Sequence, residues 1–151
     1  MNLITIDFET FYSKDFSLSK MTTEAYVRDP LFEVIGVSVK VNNEATEWAS
    51  GTHEQLKEYF NGFDWKDSMV LAHNTMFDGA ILSWVFDIHP RVWADTLCMG
   101  RAVHGVEVGG SLKALAERYQ IGVKGTEVLD AKGKNRLDFT DEELDRYGDY
   151  C

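Results

Sequence analysis

Proline and cysteine are scarce, with two of each in 151 residues. So few prolines argue against a disordered or linker-rich chain. Cys98 and Cys151 form no CxxC pair and no zinc spacing, which fits reduced thiols better than a disulfide framework or a zinc module. Long apolar runs are missing as well. Stretches such as Met69–Ala72 and Ala80–Leu82 are far too short to span a bilayer, and the N-terminus shows no basic segment of a signal peptide. The expectation is a cytoplasmic protein with no membrane partner. Bases are in short supply too: 15 Lys and Arg stand against 25 Asp and Glu, for a net charge of −10. A module that grips phosphate by charge alone should be basic. An enzyme that meets phosphate through divalent metals instead requires clustered carboxylates.

What is present is a globular composition, 44% hydrophobic and 13% aromatic, long enough for one domain with a sizeable core. No repeat or linker interrupts it. Leu3, Ile4 and Ile6 read as a buried strand ending at Asp7, and Val34–Val41 as a second. Asn42-Asn43 supplies a turn into a third strand over Glu44–Ala49, so the pair reads as an antiparallel hairpin. Thr52 with Gln55 has capping-box spacing and opens a helix to about Phe60. Met69–His73 reads as a fourth strand, Thr75–Phe86 as a helix, and Arg91–Ala94 as a fifth strand running into a helix from Asp95. Ser111 starts another helix, Gly122–Arg136 is the best loop candidate, and Thr140 with Glu143 caps a last, acidic helix. That order predicts a single α/β domain over 1–151 with a mixed five-stranded sheet flanked by helices.

Three places carry possible chemistry. In Asp7-Phe8-Glu9-Thr10, residues two apart in a strand share a face, so Asp7 and Glu9 can share a hard divalent cation. A strand end that is merely acidic reads the same way. In His73-Asn74-Thr75-Met76-Phe77-Asp78, Asp78 is either a ligand at a strand's carboxyl end or an ordinary first-turn acid, and Asn74 a contact or an N-cap. Were the first and fourth strands parallel neighbours, Asp7, Glu9 and Asp78 would converge, and three such acids repel unless metal holds them. The third place is Tyr147-Gly148-Asp149-Tyr150-Cys151, at the end of an acidic helix that is equally readable as solvated surface.

Together these motifs resemble those of the DEDD-type 3′–5′ exonucleases, most closely the N-terminal proofreading domain of family-A (polymerase I-like) bacterial or phage DNA polymerases. Ala72-His73-Asn74, Asp95-Thr96-Leu97, Ser111–Tyr119 and Lys132-Gly133-Lys134 add to the likeness, which spans nearly the whole chain. It implies an RNase H-like fold and phosphodiester hydrolysis at DNA 3′ ends with two Mg²⁺ (or Mn²⁺) ions, which in such sites lie ~3.5–4 Å apart. By the same resemblance Asp7 bridges both ions, Glu9 ligates the water-side ion and Asp78 supports the other. Phe8, Thr10, Asn74 and Phe77 hold the terminal nucleotides, with Phe77 stacking on a base or packing in the core.

A polymerase domain in the same chain, a single-stranded DNA 3′ end as partner and a bacterial or phage-infected cytoplasm follow from the likeness. The third motif departs from it. The family has an aspartate four residues after the motif tyrosine; from Tyr147 that position is Cys151, and from Tyr150 it is past the last residue. Tyr150 is the expected motif tyrosine, the aspartate falling beyond the chain, so slow cleavage is expected of these residues alone. Other readings are an RNA-directed exonuclease, a non-catalytic binding module of the same fold, and a phosphohydrolase with Asp7 as nucleophile. Lys124, Lys132, Lys134 and Arg136 are candidate backbone contacts or a solvated loop, and Asp95 a supporting group or helix cap.

Overall fold

The fold was analysed in a computed structural model, which describes residues 1–122 and 131–150. The sheet runs β3-β2-β1-β4-β5, with β1 Asn2–Thr10, β2 Val34–Val41, β3 Glu47–Ala49, β4 Ser68–Ala72 and β5 Val92–Asp95. The hairpin side (β1–β2 and β2–β3) is antiparallel, while β1–β4 and β4–β5 are parallel. The helices are α1 Thr23–Val27, α2 His53–Phe60, α3 Thr75–Ala80, α4 Thr96–His104, α5 Leu112–Tyr119 and α6 Asp141–Tyr150. This is the RNase H-like α/β arrangement, a mixed five-stranded sheet flanked by helices. No helix among the described residues is long and apolar enough to cross a membrane.

Alternation decides which face of β1 is buried. Ile4, Ile6 and Phe8 point into the main core with Val37 and Val39 of β2 and Val70 of β4. Tyr26 and Val27 of α1, Leu56 and Phe60 of α2, and Ile81, Leu82 and Phe86 cover that face. The opposite face is covered around Ile35 by Ala131 and Tyr147, with Tyr12, Phe139 and Leu144 against them. β1 runs three residues past the expected stop at Asp7, because the ladder with β2 continues through Phe8↔Val37 and Glu9↔Gly36 to an irregularity at Thr10.

Both capping boxes are present. Thr52 and Gln55 exchange bonds of 2.8 and 3.3 Å, and Thr140 and Glu143 bonds of 2.8 and 3.2 Å. The helix expected over Thr75–Phe86 is regular only to Ala80 and widens to a π-turn over Ile81–Val85. α1 had no counterpart in the sequence reading, since five residues are too few for periodicity, yet its Tyr26 is 2% exposed. The proposed loop over Gly122–Arg136 lies partly outside the described residues; its described end leads into a 3₁₀ turn, Arg136–Asp138.

α6 lies on the second face over β2 and β3, and Trp48 of β3 fills the space beneath it. A Cβ built on Gly36 would come within 2.4 Å of the indole, and one on Gly148 of α6 also within 2.4 Å. Two glycines therefore let strand and helix close on one ring. Gly148→Ala should lower unfolding stability by about 1–3 kcal/mol through overpacking, read by urea denaturation. Unchanged stability would mean that α6 does not seat on Trp48.

Candidate active site

β1 and β4 are parallel neighbours, so their carboxyl ends open at one edge of the sheet, and α3 starts there. Asp7 and Glu9 share one face of β1, opposite Ser38 and Gly36 of β2, and both are partly exposed. Asp78, in the first turn of α3, is 2% exposed. Its Oδ1 accepts the Phe8 N–H at 3.0 Å, so the third carboxylate is fastened to the main chain between the first two. Burial pushes the Asp78 carboxyl well above the usual range, and the Asp7 charge adds to that. The Phe8 N–H and the residue's own N–H pull it back, and Glu9 pushes it slightly further up. Asp78 is therefore not an ordinary first-turn surface acid.

The turn before α3 is held from its neighbour. Asn74 sits at φ 71°, a left-handed conformation that asparagine tolerates, and its side chain makes no capping bond. Its exposed amide stays free of α3, while its N–H donates to Asp95 Oδ1 at 3.1 Å. Asp95 also caps α4 through the Leu97 N–H at 2.8 Å, so the cap and the supporting role are one and the same. Partial burial pushes the Asp95 carboxyl up, but the N–H groups of Asn74 and Leu97, with Cys98, hold it below the usual range. His73 Nδ1 lies 2.9 Å from Thr96 Oγ1, a second tie between the same two turns.

The remaining motif residues are placed unevenly. Phe8 is buried against Phe60 and Phe86, and Thr10 is buried with Oγ1 at 2.9 Å from the Tyr26 hydroxyl. Both can offer a ligand only main chain, and the Phe8 N–H is already taken. Phe77 is half-buried, 6.1 Å from the Tyr26 ring. Phe11 and Phe16 stack on one another, and Phe16 on Tyr26, so these rings pack together beside β1.

From α6, Tyr147 reaches the site. The side chain is 2% exposed, stacks on Phe139, and donates from its hydroxyl to Glu9 Oε2 at 2.7 Å. Tyr150 closes α6, but its side chain and Cys151 lie outside the described residues. With Cys151 and not an aspartate four residues on, Tyr147 is not the tyrosine that the motif spacing favours. The available signal was Leu144, Tyr147 and Gly148 at i, i+3 and i+4, a stripe that must face the sheet.

Among the candidate bases, Lys134 is tied to Glu143 at 2.9 Å, Lys132 is exposed, and Lys124 lies outside the described residues. His53 stacks on Phe86, His89 meets Asp87 and His104 meets the Tyr119 hydroxyl, so each has its own partner. Among the described residues no three His, Cys, Asp or Glu side chains are arranged to hold a metal ion as they stand. The donor chemistry does fit a hard cation: three carboxylates, one of them buried and destabilised by the charges of the other two.

No protein-family model matches the sequence, and no curated protein matches it. Similar solved structures do exist. Three are of NrnC from Brucella melitensis: one bound to pGG (TM-score 0.61, 13% identity), one described as NrnC alone (0.63, 12%) and one with bound Mg²⁺ (0.61, 14%). Each match covers 97% of this chain but only 65% of the other, so the chain spans just under two thirds of their length. The likeness is one of fold.

The raised Asp78 carboxyl has a sign. Its contribution to stability is complete below the unfolded carboxyl pKa and is lost as pH rises through the folded value. In chelator at pH 8, Asp78→Asn keeps an acceptor for the Phe8 N–H and should melt about 2–4 °C above the native chain, the effect of roughly 1 kcal/mol in a domain this size. The gap should close towards pH 4. Equal melting at pH 8 would show that Asp78 carries no such burden.

Proposed function

We propose that the chain is a metal-dependent 3′–5′ exonuclease domain that hydrolyses the terminal phosphodiester of a single-stranded DNA 3′ end. The observation that carries the reading is the buried Asp78 carboxylate, bonded to the Phe8 N–H and set in the field of Asp7 and Glu9. An uncompensated carboxylate in that position opposes folding, whereas a cation-binding one gives the fold a use for it. The Mg²⁺-bound structure of NrnC, which shares the fold, supports the choice of ion.

Asp7, Glu9 and Asp78 would hold the metal, two ions in the resemblance, after Asp7 and Glu9 turn from their present rotamers. Divalent metal supplies charge stabilisation for the phosphate and a more acidic water. Glu9 and Tyr147 form an acceptor–donor pair that would orient a water towards the phosphorus, and Glu9 can take its proton as the 3′-oxygen of the penultimate nucleotide leaves with the bonding pair and takes a proton from solvent. Tyr150, the motif tyrosine by resemblance, is proposed as a further catalytic group beside this pair. Asn74 presents an exposed amide at the same edge, and Phe77 a partly open ring on which a base can stack without regard to sequence.

Proofreading beside a polymerase domain belongs to the proposal through the motif likeness alone. The NrnC structure bound to pGG favours a second substrate, short oligonucleotides. A non-catalytic module of the same fold draws support from the lack of a ready metal-holding group among the described residues.

Incubation of 5′-labelled DNA and RNA oligonucleotides with Mn²⁺ should give ladders shortening from the 3′ end, absent with Asp7→Ala. Tyr147→Phe should lower the rate roughly 10–100-fold, as loss of a group that supports a metal ligand does. Shortening that survives Asp7→Ala, or no shortening of either polymer by the native chain, counts against an enzyme built on these residues.

A further inference from the structure

Buried hydroxyls in folded proteins have hydrogen-bond partners, and an exception calls for a reason. Ser38, in the middle of β2, is 4% exposed, and its Oγ has no hydrogen-bond partner among the described residues. Val37 and Val39 beside it point into the main core, so Ser38 points to the other face, the one on which Asp7 and Glu9 stand. The register of β1 and β2 puts Ser38 directly across from Asp7. Side chains so paired have Cβ atoms ~4.5–5.5 Å apart, within reach of a hydroxyl–carboxylate bond after a rotamer change.

The far side of Ser38 is closed. The register of β2 and β3 puts Trp48 across from it, and the Trp48 Nε1 is likewise buried with no partner among the described residues. The indole is clamped between Gly36 and Gly148, which roofs the row under α6. Asp7, Ser38 and Trp48 thus form one cross-strand row in which an unsatisfied hydroxyl adjoins a carboxylate at the candidate metal site. Strand packing does not require a hydroxyl in the centre of a strand between two valines, since serine has no special fitness there.

We infer that Ser38 is a positioning residue for Asp7. Its hydroxyl donates to the Asp7 carboxylate when that carboxylate holds a divalent cation, and so selects which oxygen faces the ion. Ion-ligating carboxylates are held by such bonds, and their loss lowers metal affinity 10–100-fold in typical cases, by roughly one to two powers of ten. The inference rests on the nuclease reading above, because it needs a cation at Asp7.

The test is Mn²⁺ binding to the full chain, followed by the electron paramagnetic resonance of the free ion, with melting in chelator measured on the same samples. Ser38→Ala should bind Mn²⁺ about tenfold more weakly. Its melting temperature in chelator should be unchanged or higher, since the substitution removes a buried hydroxyl that has no partner. Native affinity in Ser38→Ala overturns the assignment. So does a fall in affinity that comes with a fall in melting temperature, which marks a merely structural residue. If the native chain binds no Mn²⁺, or Asp7→Ala binds it as tightly, the metal reading fails first and takes this one with it.

Discussion

A carboxylate taken out of water must find a donor or a cation, and the site hangs on how Asp78 meets that demand. Its partner on β1 is the Phe8 N–H, 3.0 Å away across the junction of α3 and β1. That bond joins the parallel half of the sheet, which carries α3, to the strand that carries Asp7 and Glu9. The same geometry places the three acids in each other's field. The fold therefore keeps an electrostatic debt that a divalent cation would settle, at the edge where parallel strands end together.

Around that junction, support comes from groups that tie neighbouring turns and strands together. Asp95 joins the start of α4 to the Asn74 turn, and Tyr26 joins Thr10 to the main chain of Phe11 through its hydroxyl. On the other face Trp48 seats α6 between two glycines, and α6 in turn delivers the Tyr147 hydroxyl to Glu9. A bound metal would thus meet ligands whose backbone is already fixed, so only side-chain rotation is left to complete the site.

Much of this was legible in the residues. Alternation in β1 and β2, the Asn42 turn and the short apolar runs that follow put the five strands in the right places. Asp7, Glu9 and Asp78 were recognisable as a set once β1 and β4 were taken as parallel neighbours. The parts that were not legible depend on contacts far apart in sequence. α1 is too short for a period, and its Tyr26 is fixed by Thr10 and Phe16. The contact of Tyr147 with Glu9 emerges only when α6 packs on β2 and β3, whereas motif spacing favours Tyr150. Ser38 carries no motif, and its place across from Asp7 is a matter of strand register.

The central claim is that these carboxylates form a cation site. A crystal of the native chain soaked in Mn²⁺ and measured at a wavelength with strong manganese anomalous scattering addresses it directly. The account predicts an anomalous peak bounded by Asp7 with Glu9 or Asp78, and the Asp78 Oδ1 still on the Phe8 N–H. A chain folded as described with no peak at Asp7, or with manganese bound only elsewhere, would contradict it.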